Sequence, residues 1–94
     1  MRINGNNFLA CITTAQNALK DYPYTSMRED ISILLLRAKH KLGSESVLEK
    51  KEERMRETID EYYAFKNEFP ESKYMKEVEA IYKDASKYVK ELNE

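Results

Sequence analysis

Few side chains in this 94-residue chain have reactive chemistry to offer: one histidine, one cysteine, and a large supply of carboxylates and tyrosines. His40 lies in the basic run Arg37-Ala38-Lys39-His40-Lys41, which reads as a helix C-terminus, where cations meet the negative pole of the backbone dipole. Such a histidine is expected to cap or face water. Cys11 has no second cysteine to pair with, and one thiol plus one imidazole is too small a set for a zinc cluster. Glu57, Asp60 and Glu61 alternate with apolar residues, while Glu52–Arg56 and Glu79–Lys83 stand four apart. That is the spacing of ion pairs along a solvated helix face, not of a catalytic acid and base. No Glu-x-x-His pair is present for a di-iron bundle, and two glycines supply no phosphate-binding loop. No serine or cysteine sits in a recognisable nucleophile context. The chain is therefore expected to be no enzyme, with no cofactor and no metal.

Tyrosine is the unusual component, with seven copies. Several fall on apolar helix stripes, where a buried ring with a wet hydroxyl is the ordinary arrangement. One stripe cannot hold them all. Tyr24, Tyr63 and Tyr88 are expected at exposed positions, where aromatic rings serve as anchors for a protein partner. Phe8 and Leu9 join them as candidate partner-binding residues, because the segment Phe8-Leu9-Ala10-Cys11-Ile12 is apolar on more than one side of a helix.

Charge and composition narrow the classes further. Sixteen Lys and Arg against seventeen Asp and Glu give a net charge of -1, without the basic excess that phosphate neutralisation requires, so no nucleic-acid partner is expected. Apolar residues at 41% argue for a folded domain. No run approaches the ~18 apolar residues of a membrane span. Phe8-Leu9-Ala10-Cys11 superficially resembles a lipoprotein cleavage site, but only Arg2 precedes it as a charge and Asn4, Asn6 and Asn7 interrupt the short apolar run. The chain is expected to be soluble and to carry no signal peptide.

Two glycines and two prolines permit few turns, and the periodicity predicts four helices. In the first, Asn6 or Asn7 caps a stripe of Phe8, Ile12, Ala15, Leu19 and Tyr22, and Pro23 stops it. Ser26 and Glu29 form a capping box for the second, whose stripe is Met27, Ile31, Leu34, Leu35, Ala38 and Leu42. Ile33 and Leu36 add a second apolar edge, so this helix is expected to lie between neighbours. Gly43 reads as its left-handed cap. Ser46 and Glu49 form a box for the third helix, whose charged opening Glu49 to Arg54 is expected to project into water before Met55, Ile59, Tyr62, Tyr63 and Phe69 return to a core. After Pro70, Ser72 caps a fourth helix carrying Tyr74, Val78, Ile81, Tyr82, Ala85, Val89 and Leu92. The class is all-α.

The two halves repeat. From Pro23 to Pro70 is a step of 47, and at that step Tyr22-Pro23 falls on Phe69-Pro70 and Thr25 on Ser72. Ile31 falls on Val78, Leu34-Leu35 on Ile81-Tyr82, Ala38 on Ala85, and Ala15 and Ala18 on Tyr62 and Phe65. The small residues Ala38 and Ala85 suit close helix approach. A step of this size signals two stacked helical hairpins in a tetratricopeptide-like (TPR-like) α-solenoid, longer than the ~34-residue TPR unit by a segment near Gly43 to Arg54. A four-helix up-down bundle is the competing architecture. The expected organisation is one domain over 1–94, with a first repeat at about 7–43, a charged lead-in at 44–54 and a second repeat at about 55–92. Two repeats alone leave an apolar face at one or both ends, open to a partner or to self-association.

The segments Tyr22-Pro23-Tyr24-Thr25-Ser26-Met27-Arg28-Glu29 and Glu61 to Tyr74, with its Phe69-Pro70-Glu71-Ser72-Lys73-Tyr74 corner, resemble the outer-membrane protein assembly factor BamD family, most of all its Bacteroidetes-type members. The resemblance runs from about Asn7 to Leu92 and corresponds to the C-terminal repeats of that family. It implies a non-enzymatic scaffold in the β-barrel assembly machinery, contacting the BamA subunit or accessory subunits on the periplasmic side of the outer membrane. Membrane contact would come only through an N-terminal lipid anchor, which this chain lacks, and the N-terminal substrate-recognising repeats have no counterpart here. A fragment or truncated reading frame is expected on that comparison. The alternative is a generic TPR-like adaptor that binds an extended peptide in its groove.

Overall fold

A computed structural model describes residues 5–89. Four α-helices account for most of them: α1 (Gly5–Asp21), α2 (Arg28–Ser44), α3 (Leu48–Glu68) and α4 (Met75–Ser86), with no strand among the described residues. Neighbours in sequence pack as antiparallel hairpins, and α2 additionally touches α4. The fold is all-α, two stacked helical hairpins, as the periodicity predicts. Leu92, placed by sequence on the last stripe, lies outside the described residues.

Helix α2 is the shared wall. One side packs Leu35, Ala38 and Leu42 against Ile12 and Ala15 of α1. The other side drives Ile33 and Leu36 between Tyr62 and Phe65 of α3 and Val78 and Ile81 of α4. A third cluster, Met55, Ile59, Ala85 and Val89, closes the far end of the second hairpin. Ile33 and Leu36, expected as a secondary edge, are thus among the most deeply buried side chains. Four stripe residues go the other way: Tyr22, Met27, Leu34 and Tyr63 are exposed. The reason is the number of neighbours. A helix contacted from α1, α3 and α4 turns its buried arc toward all three, and Leu34 falls outside that arc.

The corners repeat in atomic detail. After each α1 or α3, the chain closes with the same bonds 47 positions apart: Tyr22 N–H to Ala18 O and Phe69 N–H to Phe65 O, then Thr25 N–H to Tyr22 O and Ser72 N–H to Phe69 O. The hydroxyl oxygens of Thr25 and Ser72 each accept from the backbone N–H two residues on, Met27 at 3.1 Å and Tyr74 at 3.0 Å. The proline bars Tyr22 and Phe69 from the helix, and the hydroxyl then satisfies a donor that the turn would leave unpaired.

The helix ends differ from the capping expected. Helix α1 already includes Gly5, so Asn6 and Asn7 lie within the helix and not ahead of it. Met27 and Val47 occupy the N-cap positions of α2 and α3 without side-chain caps. Glu29 is drawn away from a capping box by Ser72, whose hydroxyl donates to it across the hairpin interface. Ser46 instead donates to Leu42 O at 2.6 Å and accepts from Arg54 at 2.8 Å. Ser72 caps the turn ahead of α4, which starts at Met75. Gly43 is no left-handed cap: none of the described glycines has positive φ, and Gly43 is buried inside α2. A Cβ there would sit 3.1 Å from Met55 Sδ, so the missing side chain serves the close passage of α3. The surplus over a TPR unit is thereby absorbed mostly as helix, since α2 runs to Ser44 and α3 starts at Leu48.

Leu34 and Leu36 are two residues apart, yet only Leu36 is fully buried. Leu36→Ala should cost about 2–5 kcal/mol in urea unfolding, and Leu34→Ala less than half as much. Equal losses would place the α2 wedge wrongly.

Candidate functional site

The outer face of the first hairpin carries an open apolar groove. Ala10, Cys11, Thr14, Ala15 and Ala18 of α1 form one wall, and Ile31 and Leu34 of α2 the other, around a cavity of about 430 Å³. Residues 11, 14, 15 and 18 follow helical spacing, so they make a second stripe on α1, displaced from the one that buries Ile12. Because that stripe is small, the two helices leave a trough between them. The trough continues into a shallower space of about 230 Å³ lined by Asn7, Phe8, Leu34, Arg37 and Lys41. Its floor is nearly all carbon, and Leu34 is 48% exposed.

The opposite end of the stack is polar. Lys76, Ala80, Lys83 and Lys87 follow one helical face, and all four are exposed. One end of the molecule is thus closed by lysines, and the other is open and oily. The apolar end is the candidate site of the described residues.

The five candidate anchors do not converge. Tyr24 stands at the α1–α2 corner, 98% exposed. Tyr63 is 54% exposed on α3. It sits edge-on to Tyr62 at 5.0 Å and to Tyr82 at 5.9 Å, beside a surface depression shared with Lys66, Asn67 and Pro70. Tyr88 lies beyond α4 with the Lys51 ammonium 5.0 Å above its ring, so Lys51 of the charged opening of α3 lies against it, while Glu49, Lys50 and Glu53 are exposed as expected. Phe8 is half-buried against the α1–α2 core and borders the shallower end of the groove. Leu9 faces a different, polar cleft with Thr13, Gln16, Lys39, Glu53, Arg54 and Glu57, about 360 Å³ in volume, where α1, α2 and α3 meet. The groove residues beyond Phe8 were missed as a group. Their signal was in the repeat: Ala15 and Ala18 stand where the second half has Tyr62 and Phe65.

The titratable groups are largely spoken for by the interface between hairpins. Arg37 holds Glu77 through two bonds of 2.6 and 2.7 Å, Lys39 meets Glu61 at 3.0 Å, and His40 Nε2 lies 2.7 Å from Asp84 Oδ2. Arg28 pairs with Glu68 at the proline end, and the Tyr74 hydroxyl donates to Asp30 at 2.8 Å. His40 is thus an interface residue, not a free surface one. Burial pushes the Tyr62 phenol up; its ring stacks on Tyr82 at 4.4 Å and its hydroxyl lies within hydrogen-bond reach of Glu79 and Lys66. Of the two expected four-apart pairs, Glu52–Arg56 is present at 3.2 Å, while Glu79 turns to Tyr62 and to Lys66, 3.4 Å away. Among the described residues no three His, Cys, Asp or Glu side chains gather as a metal site, and no helix is long and apolar enough to cross a membrane.

Compared with known proteins, the chain matches no family model, no curated protein and no solved structure.

Hydrogen bonds from Arg37 hold the Glu77 carboxyl below its ordinary value near 4.5. A depressed folded-state pKa gives stability that is present above that value and lost as pH falls through the folded one. Both side chains are about 40% exposed, so the effect is small. Glu77→Gln should lower Tm modestly at pH 7, and the gap to the parent should close as the carboxyl takes up its proton in acid, below its ordinary range. A gap that persists in acid would remove the ion pair as its cause.

Proposed function

We propose that this chain is a non-enzymatic scaffold for protein–protein contact. The observation that carries the reading is the asymmetry of its ends: an apolar groove on the first hairpin and a lysine-covered face on α4. A stack of hairpins that needed no neighbour would cover both ends with polar residues. The resemblance of the Tyr22-Pro23 and Phe69-Pro70 corners to BamD supplies the specific form of the proposal. On that form, the chain acts in β-barrel assembly at the periplasmic side of the outer membrane, with a BamA-type subunit or an accessory subunit as partner.

A second reading has an observation of its own. The cleft between α1, α2 and α3 is polar and its lining carries both signs of charge, Lys39 and Arg54 with Glu53 and Glu57. That lining suits the main chain and charged side chains of an extended peptide, the mode of a generic TPR-like adaptor.

Binding of the chain to the BamA subunit of its source organism, measured by calorimetry, tests the first reading. Leu34→Glu should weaken that binding at least tenfold with Tm unchanged within about 3 °C, and Tyr24→Ala with Tyr63→Ala should weaken it if the corners also contribute. Affinity for short unstructured peptides, with none for BamA, would favour the second reading instead.

A further inference from the structure

The repeat identifies what the groove is shaped to hold. Ile33 and Leu36 of α2 are seated among four residues of the second hairpin: Tyr62, Phe65, Val78 and Ile81. Stepped back by 47, those four are Ala15, Ala18, Ile31 and Leu34. All four line the open groove of the first hairpin. The groove is therefore the repeat counterpart of the seat that α2 already fills, and a helix lying as α2 lies is the shape that closes it.

The differences between the two seats define the occupant. Two aromatic rings are replaced by Ala15 and Ala18, so the open seat is wider, and it needs larger side chains than Ile33 and Leu36 to reach its floor. Charge sets direction. Glu68, which pairs with Arg28 at the start of α2, is matched by the exposed Asp21. Asp84, which meets His40 near the end of α2, is matched by Arg37, which keeps its bonds to Glu77 and so offers the occupant only a shared cation. The fitting helix carries a basic residue near its start and an acidic one near its end.

A second copy of this chain does not meet that description. Head-to-tail stacking would present α4, where Ala80 and Lys83 stand at the positions of Ile33 and Leu36. A small methyl would underfill the groove and an ammonium would be buried in it without a partner. The polar face of α4 is no donor for this groove.

We propose that the groove is the docking site for an amphipathic helix of a partner protein. This helix runs parallel to α2 and presents two large, preferably aromatic, residues three positions apart. The proposal rests on the scaffold reading above and specifies the partner's binding element. Such a helix-in-groove contact is held by apolar anchors on one helix face.

The probe is a helix-stapled synthetic peptide with the sequence of residues 26–45 of this chain, substituted Ile33→Phe, Leu36→Phe and His40→Glu. Fluorescence anisotropy gives its affinity. Cys11 lines the groove and is exposed, so its reaction rate with a disulfide reagent reports occupancy. The substituted peptide should bind at least fivefold more tightly than the unsubstituted one and slow the Cys11 reaction at least fivefold. Leu34→Glu or Thr14→Arg in the protein, with circular dichroism unchanged, should remove both effects. No binding by either peptide, or binding that leaves Cys11 as reactive as before, would overturn the proposal. Slowing of Cys11 by rising protein concentration alone, with dimers seen in sedimentation, would also overturn it, assigning the groove to a second copy. Should the peptide fail while Leu34→Glu still weakens BamA binding, the scaffold reading stands and only the helical occupant falls.

Discussion

The wedge of Ile33 and Leu36 between α3 and α4 is the interaction on which the rest depends. Without it the molecule is two separate helical hairpins, each too small to bury its own core. With it, α2 becomes part of both cores, and the polar contacts of α2 with the second hairpin lie around its rim. The ion pairs of Arg28, Arg37 and Lys39 and the His40–Asp84 hydrogen bond decorate the edge of that wedge. The Arg28 and Arg37 pairs are a third or more exposed and contribute little energy each, while Lys39–Glu61 is more buried; their value is in fixing the register of one hairpin on the next. The apolar residues supply the stability; the charges choose the position.

Much of the fold was legible in the sequence because helices and corners write local signals. Pro23 and Pro70 set both corners, and the matched hydroxyls of Thr25 and Ser72 make the same bond in each. Stripes such as Val78, Ile81 and Ala85 are buried as their spacing predicts. The errors are tertiary. Glu29 satisfies a capping-box pattern, yet Ser72 from the second hairpin takes it. Gly43 looks like a stop signal, yet it is a point of close approach to Met55. Tyr22 continues a stripe past the edge of its neighbour and ends in water. None of these outcomes can be read from a single helix, because each depends on which helix lies opposite.

The candidate site was only half visible for the same reason. Exposed tyrosines are conspicuous in sequence, and Tyr24 and Tyr63 are indeed exposed, but they lie apart from one another. The α1 wall of the groove is mostly alanine with one threonine and one cysteine, small residues that do not stand out as binding anchors. They acquire meaning only at the repeat step, where small side chains on α1 stand in place of Tyr62 and Phe65. An apolar seat without its occupant is a physical tension in a chain otherwise well paired across its interface, and the interaction reading grows from that tension.

The central claim is that two equivalent seats exist and that one is open. Solvent paramagnetic relaxation of side-chain methyl groups, with a soluble nitroxide added to the isolated monomeric chain, tests it most directly. The account predicts strong enhancement at Ala10, Ala18 and Leu34 and almost none at Ile33, Leu36 and Val78. Equal protection of both sets in the monomer would mean that the first hairpin closes on itself, and the account would be wrong.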